Sequence, residues 1–145
     1  MTKKLVNLRY AKGSKYGETL KEIKTAKVCP FCPKTFKWHT KPTLRRTKNW
    51  LVTENFNSYK NARYHFLVIS KSHKEGFQDL TLPDWRQISE LVRWAIRKYK
   101  IKGGGLILRF GDSNYTGATV THLHLHLIVP QLKRGKALRV EFPIG

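Results

Sequence analysis

Three histidines alternate with leucines in one short segment, and this pattern constrains the chain more than any other feature. The segment reads Thr121-His-Leu-His-Leu-His-Leu127. On a β-strand, side chains two residues apart share a face and lie about 6–7 Å apart. The pattern therefore predicts that His122, His124 and His126 line one face of a strand, with the leucines in the core. A neutral imidazole is both a nucleophile and a proton carrier, so this face is predicted to carry chemistry. The alternatives are a histidine-rich stripe without function and a metal site without catalysis.

The rest of the pattern predicts an α+β fold with a mainly antiparallel sheet. A single long amphipathic helix is expected from about Asp84 to Lys102, because apolar residues recur there at helical spacing. Strands are predicted where short β-prone runs occur, at 50–53, 64–69, 106–110, 119–129 and 137–144.

The N-terminal part has a different character. We predict that residues 1–28 form a basic arm with one short helix near 17–26, and that residues 29–145 form a single domain. Three prolines between residues 29 and 49 favour a loop there over regular structure.

The charge is strongly basic. The chain has 29 Lys and Arg against 9 Asp and Glu, a formal net charge of +20. Such a charge attracts phosphate polyanions, so the basic surface either binds nucleic acid or steers small anionic substrates; both alternatives stay open. The sequence has neither an apolar run long enough to cross a membrane nor an N-terminal secretory pattern, so we expect no membrane association and a cytoplasmic location.

The only two cysteines form the motif Cys29-Pro-Phe-Cys32. This is the spacing of metal ligands, although redox pairs share it and the two thiols could also simply pack in the core. The spacing alone therefore indicates half of a metal site or a redox pair.

Further polar residues are candidates for the same site. Gly117 and Thr119 precede the histidines, where a loop can offer backbone N–H groups and a hydroxyl to a phosphate. Asn114 and Arg109 are near this loop in sequence, and Arg109 could face either the site or solvent. His65 could face the site or accept a hydrogen bond in the core. Trp50 and Tyr59 fit a core equally well.

The segment from His122 to Ile128 resembles the signature of the histidine-triad (HIT) superfamily, in which histidines alternate with hydrophobic residues. The resemblance covers roughly residues 29–130. It includes the run from His65 to His73, which ends in Lys-x-His, and Gly117-x-Thr119. It implies an α+β HIT-like fold, usually a homodimer, that binds nucleoside mono-, di- or polyphosphates and acts at the α-phosphate.

The resemblance also implies roles for individual residues. His124 would attack phosphorus and form a nucleotidyl-histidine intermediate, which water or another acceptor resolves. His126 and Thr119 would contact phosphate or leaving-group oxygens. Asn55 would bind the ribose hydroxyls and Phe56 would pack on the base, although Asn57 stands where the family often has proline.

Some branches of the family, including the uridylyltransferase-like one, bind zinc through a cysteine pair and two histidines. Carried over by position, the ligands of a structural Zn²⁺ would be Cys29, Cys32, His73 and His122. His39 is the alternative to His73, although we expect His39 at the surface.

The leading hypothesis is a nucleotidyl hydrolase or transferase. His126 favours a hydrolase, because transferase branches often have glutamine there, whereas the cysteine pair favours the transferase-like branch. The stretch from Lys60 to His65 resembles aprataxin-like enzymes, which remove AMP from nucleic-acid 5′ ends. The alternatives are a nucleic-acid-binding module and a nucleotide sensor, each with little or no turnover.

Overall fold

One antiparallel sheet forms the centre of the molecule. The computed structural model describes residues 5–10 and 14–145. The five strands of the sheet are β1 Thr43–Arg46, β2 Trp50–Glu54, β3 Ala62–Ser70, β4 Gly105–Leu108 and β5 His124–Pro130. They lie in the spatial order β1-β2-β3-β5-β4, and every neighbouring pair is antiparallel. The prediction of an α+β fold with a mainly antiparallel sheet is confirmed.

In the described part of the chain, three α-helices accompany the sheet: α1 Ser14–Ala26, α2 Leu82–Lys98 and α3 Ser113–Thr116. The long helix α2 begins in a capping box, in which the Thr81 hydroxyl accepts the Asp84 N–H and the Asp84 carboxylate accepts the Thr81 N–H. It ends four residues before the predicted Lys102, because Lys100 takes a left-handed conformation with φ of 52°.

The sheet has one face for the core and one for the site. Helix α2 covers the first face, where the strands contribute alternate residues to a buried cluster of Trp50, Val52, Phe66, Val68, Ile88, Leu91, Ala95, Leu125 and Leu127. The residues between them point to the opposite face, which carries Thr53, His65, Leu67, His124 and His126. The alternation of histidine and leucine therefore separates the chemistry from the core.

The described part of the predicted N-terminal arm packs against the domain. Val6 forms a β-bridge with Val120, and the Asn7 N–H donates to the Thr119 carbonyl at 2.8 Å. Leu20 and Ile23 of α1 join Val6 in a second, smaller buried cluster. The arm thus meets the chain directly before the triad.

Two predicted strands are shorter or shifted in the structure. We expected one strand from Thr119 to Val129, but β5 begins at His124. Residues before it form other contacts: the Leu123 N–H donates to the Lys74 carbonyl, and the Leu123 carbonyl accepts the Ser70 N–H. The strand predicted at residues 137–144 was also wrong, because the only strand residue in that range is Ala137, which ends a short hairpin of β6 Leu132–Lys133 and β7 Lys136–Ala137.

Residues 29–49 are not all loop. A 3-10 segment covers Pro33–Trp38, and β1 follows as an edge strand. The prolines precede this strand, so its backbone N–H groups are free to pair with β2. No helix within the described residues is both long and apolar enough to span a membrane.

Candidate active site and metal centre

The triad histidines divide into two groups. His124 and His126 lie on β5 with their rings on the same face, and their centroids are 4.9 Å apart. His122 precedes the strand and turns its Nδ1 toward the two cysteines. The prediction that all three would share one strand face was wrong for His122, because the ladder of β5 starts only at His124.

His124 is held in the orientation of a nucleophile. Its Nδ1 lies 2.7 Å from the carbonyl oxygen of His122. A carbonyl only accepts, so Nδ1 carries the proton and Nε2 of the neutral ring keeps a free lone pair. Burial lowers the pKa of His124 to about 3, and the neighbouring charges of Arg109 and the other histidines act in the same direction. His124 is therefore neutral at physiological pH, and it lines a pocket.

A fourth histidine contacts His126. The backbone N–H of Tyr59 donates to Nδ1 of His65 at 3.2 Å, and Nε2 of His65 lies 3.2 Å from Nδ2 of Asn55 and 2.8 Å from Nδ1 of His126. Nε2 of His126 is buried and has no hydrogen-bond partner among the described residues. A buried ring nitrogen without a partner in a pocket wall is suited to a ligand atom. The structure thus favours a site role for His65.

Four metal-ligand side chains converge next to the triad. They are Cys29, Cys32, His73 and His122, whose donor atoms all lie within 4.8 Å of one another. Nδ1 of His122 is 3.3 Å from Sγ of Cys29, 3.7 Å from Sγ of Cys32 and 3.2 Å from Nδ1 of His73. A zinc tetrahedron with Zn–N near 2.0–2.1 Å and Zn–S near 2.3 Å has edges of roughly 3.3–3.8 Å. The residues present therefore fit a closed Cys2His2 site.

Both histidines of this cluster are oriented through their other nitrogen. Nε2 of His122 faces the Ser70 carbonyl at 2.6 Å, and Nε2 of His73 faces Glu75 Oε1 at 2.8 Å. Such outer oxygens point Nδ1 inward and raise its basicity. Burial also raises the pKa of the Cys29 thiol to about 12, which disfavours a reactive redox pair.

His39 does not join the metal cluster, and the expectation that it lies at the surface was wrong. It is half-buried in the pocket wall, where its Nε2 contacts the Thr53 hydroxyl at 2.7 Å. Its ring stacks on Phe36 with centroids 4.9 Å apart. The 3-10 segment directs His39 toward the sheet, which the sequence spacing could not show.

The pocket beside His124 and His126 has an aromatic and polar wall. Asn55, Phe56 and Thr119, three of the predicted site residues, line it. Tyr16 of α1 closes the pocket from the N-terminal side: its hydroxyl is 2.8 Å from that of Thr119, and its ring centroid is 5.5 Å from that of Phe56. The space between these side chains is partly open to solvent.

Two predicted phosphate contacts differ in the structure. Asn114 is exposed at the start of α3 and lies outside the residues that line this pocket. Gly117 does line it, but its N–H donates to the Ser113 carbonyl and caps α3, with φ of 67°. Gly117 therefore contributes a turn that only glycine adopts readily, while its N–H is already used.

Several pocket residues were not predicted. Phe31, from the cysteine motif, sets its ring edge-on to His124 with centroids 5.0 Å apart. Arg109 faces the pocket, which settles the alternative left open by the sequence. Phe142 lies 4.9 Å from the ring of His126, and Pro143 also lines the pocket. For Tyr16 a signal existed: residues 16, 20 and 23 follow helical spacing.

The comparison with known proteins agrees with this geometry. The sequence profile of the HIT domain matches residues 48–132, more than half of the chain. The chain belongs to the HIT domain family. An uncharacterized HIT-like protein of Chlamydia muridarum (strain MoPn / Nigg) is 29% identical over 84 residues, which cover 56% of this chain and 64% of that protein. The match thus spans less than two thirds of that relative.

Solved structures share the fold. A histidine triad nucleotide-binding protein from Candida albicans has a TM-score of 0.61 and 20% identity, over 81% of this chain and 85% of that one. A Zn-bound histidine triad family protein from Mycobacterium smegmatis has a TM-score of 0.56 and 22% identity, over 79% and 83% of the two chains. Hydrolases also occur in the family.

Proposed function

We propose that this protein is a nucleotidyl hydrolase or transferase that acts at the α-phosphate of an AMP-type nucleoside phosphate through a nucleotidyl-histidine intermediate on His124. One observation carries the proposal. The His124 Nδ1–H is held by the His122 carbonyl, so the lone pair on Nε2 belongs to a buried, neutral ring that lines the pocket.

The first step forms a bond between Nε2 of His124 and the α-phosphorus. The bond from phosphorus to the leaving group breaks, and the leaving group takes the electron pair. Nε2 of His126, carrying its proton, and the Thr119 hydroxyl would donate to phosphoryl oxygens as charge develops on them. Both residues line the pocket, and Nε2 of His126 has no hydrogen-bond partner among the described residues, which supports this role.

The second step regenerates the histidine. An oxygen of water or of another acceptor attacks phosphorus, the N–P bond breaks, and its electron pair returns to Nε2 of His124. The proton lost by the attacking oxygen passes to solvent. Water as acceptor gives hydrolysis and a nucleoside monophosphate, whereas a phosphate or hydroxyl acceptor gives transfer. Asn55 and Phe56 would hold the ribose and base in the pocket wall that they line.

We also propose that Cys29, Cys32, His73 and His122 bind a structural Zn²⁺. The edge lengths of their donor atoms and the oxygen contacts of both histidines support it. The ion would fix the loop of the cysteine motif to the residue that orients the nucleophile.

The test compares hydrolysis of adenylylated compounds by the wild type, His124→Ala and the closer isostere His124→Asn. We expect kcat to fall by about three orders of magnitude or more in both variants, with unchanged thermal unfolding. A binding module would instead keep a salt-sensitive affinity for nucleic acid in all three proteins and turn over nothing. Equal turnover by folded variants and wild type would contradict the proposal.

A further inference from the structure

Arg109 enters the pocket from the strand farthest from the nucleoside wall. It directly follows β4, and its guanidinium is half-buried. The Nη1–H donates to the Pro143 carbonyl at 3.1 Å, and Cζ lies 4.8 Å from the ring centroid of Phe142. Its Nε is buried and has no hydrogen-bond partner among the described residues. The side chain is therefore fixed in place while retaining a free donor.

Among the described residues, no carboxylate pairs with Arg109. None of the ion pairs found between described residues includes it. Its neighbours in the pocket are tyrosines 16 and 59 and histidines 124 and 126, whose pKa values it influences. A partly buried cation without a counter-ion is costly, and a guanidinium binds phosphate oxygens with particularly good geometry.

The order of the strands indicates which phosphate of a bound nucleotide Arg109 would contact. Asn55 and Phe56 follow β2, His124 is on β5, and Arg109 follows β4, on the far side of β5 from β2 and β3. A nucleoside beside β2 and β3 with its α-phosphorus at His124 would direct its leaving group toward β4. Arg109 lines the pocket, and its main chain follows the strand on that side.

We propose that Arg109 is a specificity-determining residue that binds a phosphate joined to the α-phosphoryl group on the leaving-group side. The preferred substrate class is then a nucleotidyl phosphoanhydride, and not a phosphoramidate or ester with an uncharged leaving group. This inference rests on the proposed function. When the bond between the α-phosphorus and the bridging oxygen breaks, the electron pair stays on that oxygen, and Arg109 stabilises the departing phosphate.

A binding experiment tests the inference without turnover. Dissociation constants for AMP and ADP are measured by calorimetry in the His124→Ala background. The proteins compared keep Arg109 or carry Arg109→Lys or Arg109→Gln. The matched control is Arg97→Gln, which removes a charge from the exposed face of α2. We expect ADP to bind about 10- to 100-fold more tightly than AMP with Arg109 present. The preference should vanish in Arg109→Gln, persist in part in Arg109→Lys and be unchanged in Arg97→Gln.

Steady-state kinetics of proteins that keep His124 supply the second readout. Arg109→Gln should lower kcat/KM for an adenylyl phosphoanhydride at least 10-fold more than for adenosine 5′-phosphoramidate. Equal losses for both substrates, or an ADP preference that survives Arg109→Gln, would overturn the inference while leaving the proposed function intact. If the pocket bound no nucleotide at all, the proposed function would fail and this inference with it.

Discussion

At the scale of single residues, His122 and His124 are held through opposite ring nitrogens. An oxygen holds Nε2 of His122, so Nδ1 is left for the metal cluster, whereas an oxygen holds Nδ1 of His124, so Nε2 is left for the pocket. Two histidines separated by one leucine can thus serve as a metal ligand and a nucleophile. The chemistry of each ring follows from its hydrogen bond, since the intrinsic imidazole is the same.

The carboxylate of Glu75 should control metal affinity through His73. It accepts from Nε2 of His73 at 2.8 Å and so holds Nδ1 toward the cysteines. We expect Glu75→Gln to weaken zinc binding about 10- to 100-fold, measured by competition with a chromophoric chelator. Glu22→Gln, on the exposed side of α1, is the matched control and should bind zinc as the wild type does. An unchanged affinity in Glu75→Gln would show that this contact does not orient the ligand.

At the scale of elements, the start of α2 is joined to two segments that lead to the site. The Asp84 carboxylate accepts a hydrogen bond from Nε1 of Trp50, on β2, at 2.8 Å. It accepts a second one from Nζ of Lys74 at 2.9 Å. The carbonyl of Lys74 in turn accepts the N–H of Leu123, next to His122. One buried carboxylate therefore connects the long helix, the core strand and the loop before the triad.

Removing that carboxylate should be costly. Asp84→Ala leaves the Trp50 N–H and the Lys74 ammonium without their partner and also removes the helix capping box. We expect the free energy of unfolding to fall by about 3 kcal/mol, measured by urea denaturation. Ser89→Ala, on the exposed side of the same helix, should change it by less than about 0.5 kcal/mol. A similarly small effect of Asp84→Ala would refute the structural role.

How far the sequence predicts the site depends on the range of the interactions. The alternation at residues 122–127 predicted which side chains leave the core, because that property follows from strand geometry alone. The orientation of Arg109 was not predictable, since it depends on Pro143 and Phe142, more than thirty residues later. The edge strand β1 was missed for a similar reason: its pairing with β2 determines it, while its own basic composition indicates a loop.

At the scale of the whole molecule, buried neutral histidines should make stability depend on pH. Burial lowers the pKa of His65 to about 4, whereas the unfolded chain has an ordinary value near 6.5. Between these values the unfolded state binds more protons at this residue, so the contribution of His65 to the free energy of unfolding falls as the pH drops below 6.5 and is constant above it.

The contribution of His65 can be isolated by substitution. Between pH 7.5 and pH 5.0, His65 should account for a loss of up to about 2 kcal/mol, which should be absent in His65→Gln. Denaturation of both proteins at the two pH values, with zinc present throughout, measures the difference and cancels the titration of the metal ligands. Identical pH dependence in the two proteins would mean that His65 is not held neutral by burial.

The net charge of +20 also acts at this scale. A strongly positive molecule raises the local concentration of phosphate compounds, which suits either a small nucleotide or a nucleic acid carrying one. The homodimer implied by the family resemblance and the nucleic-acid partner both stay predictions.

The most direct test of the account is the mass of the intact protein shortly after mixing with an adenylylated phosphoanhydride, quenched without acid. We predict a gain of one adenylyl group in the wild type and none in His124→Asn, because the proposed N–P bond forms on Nε2 of His124. A wild-type protein that binds and consumes the nucleotide without this adduct, or a variant that still acquires it, would contradict the assignment of His124 as the nucleophile.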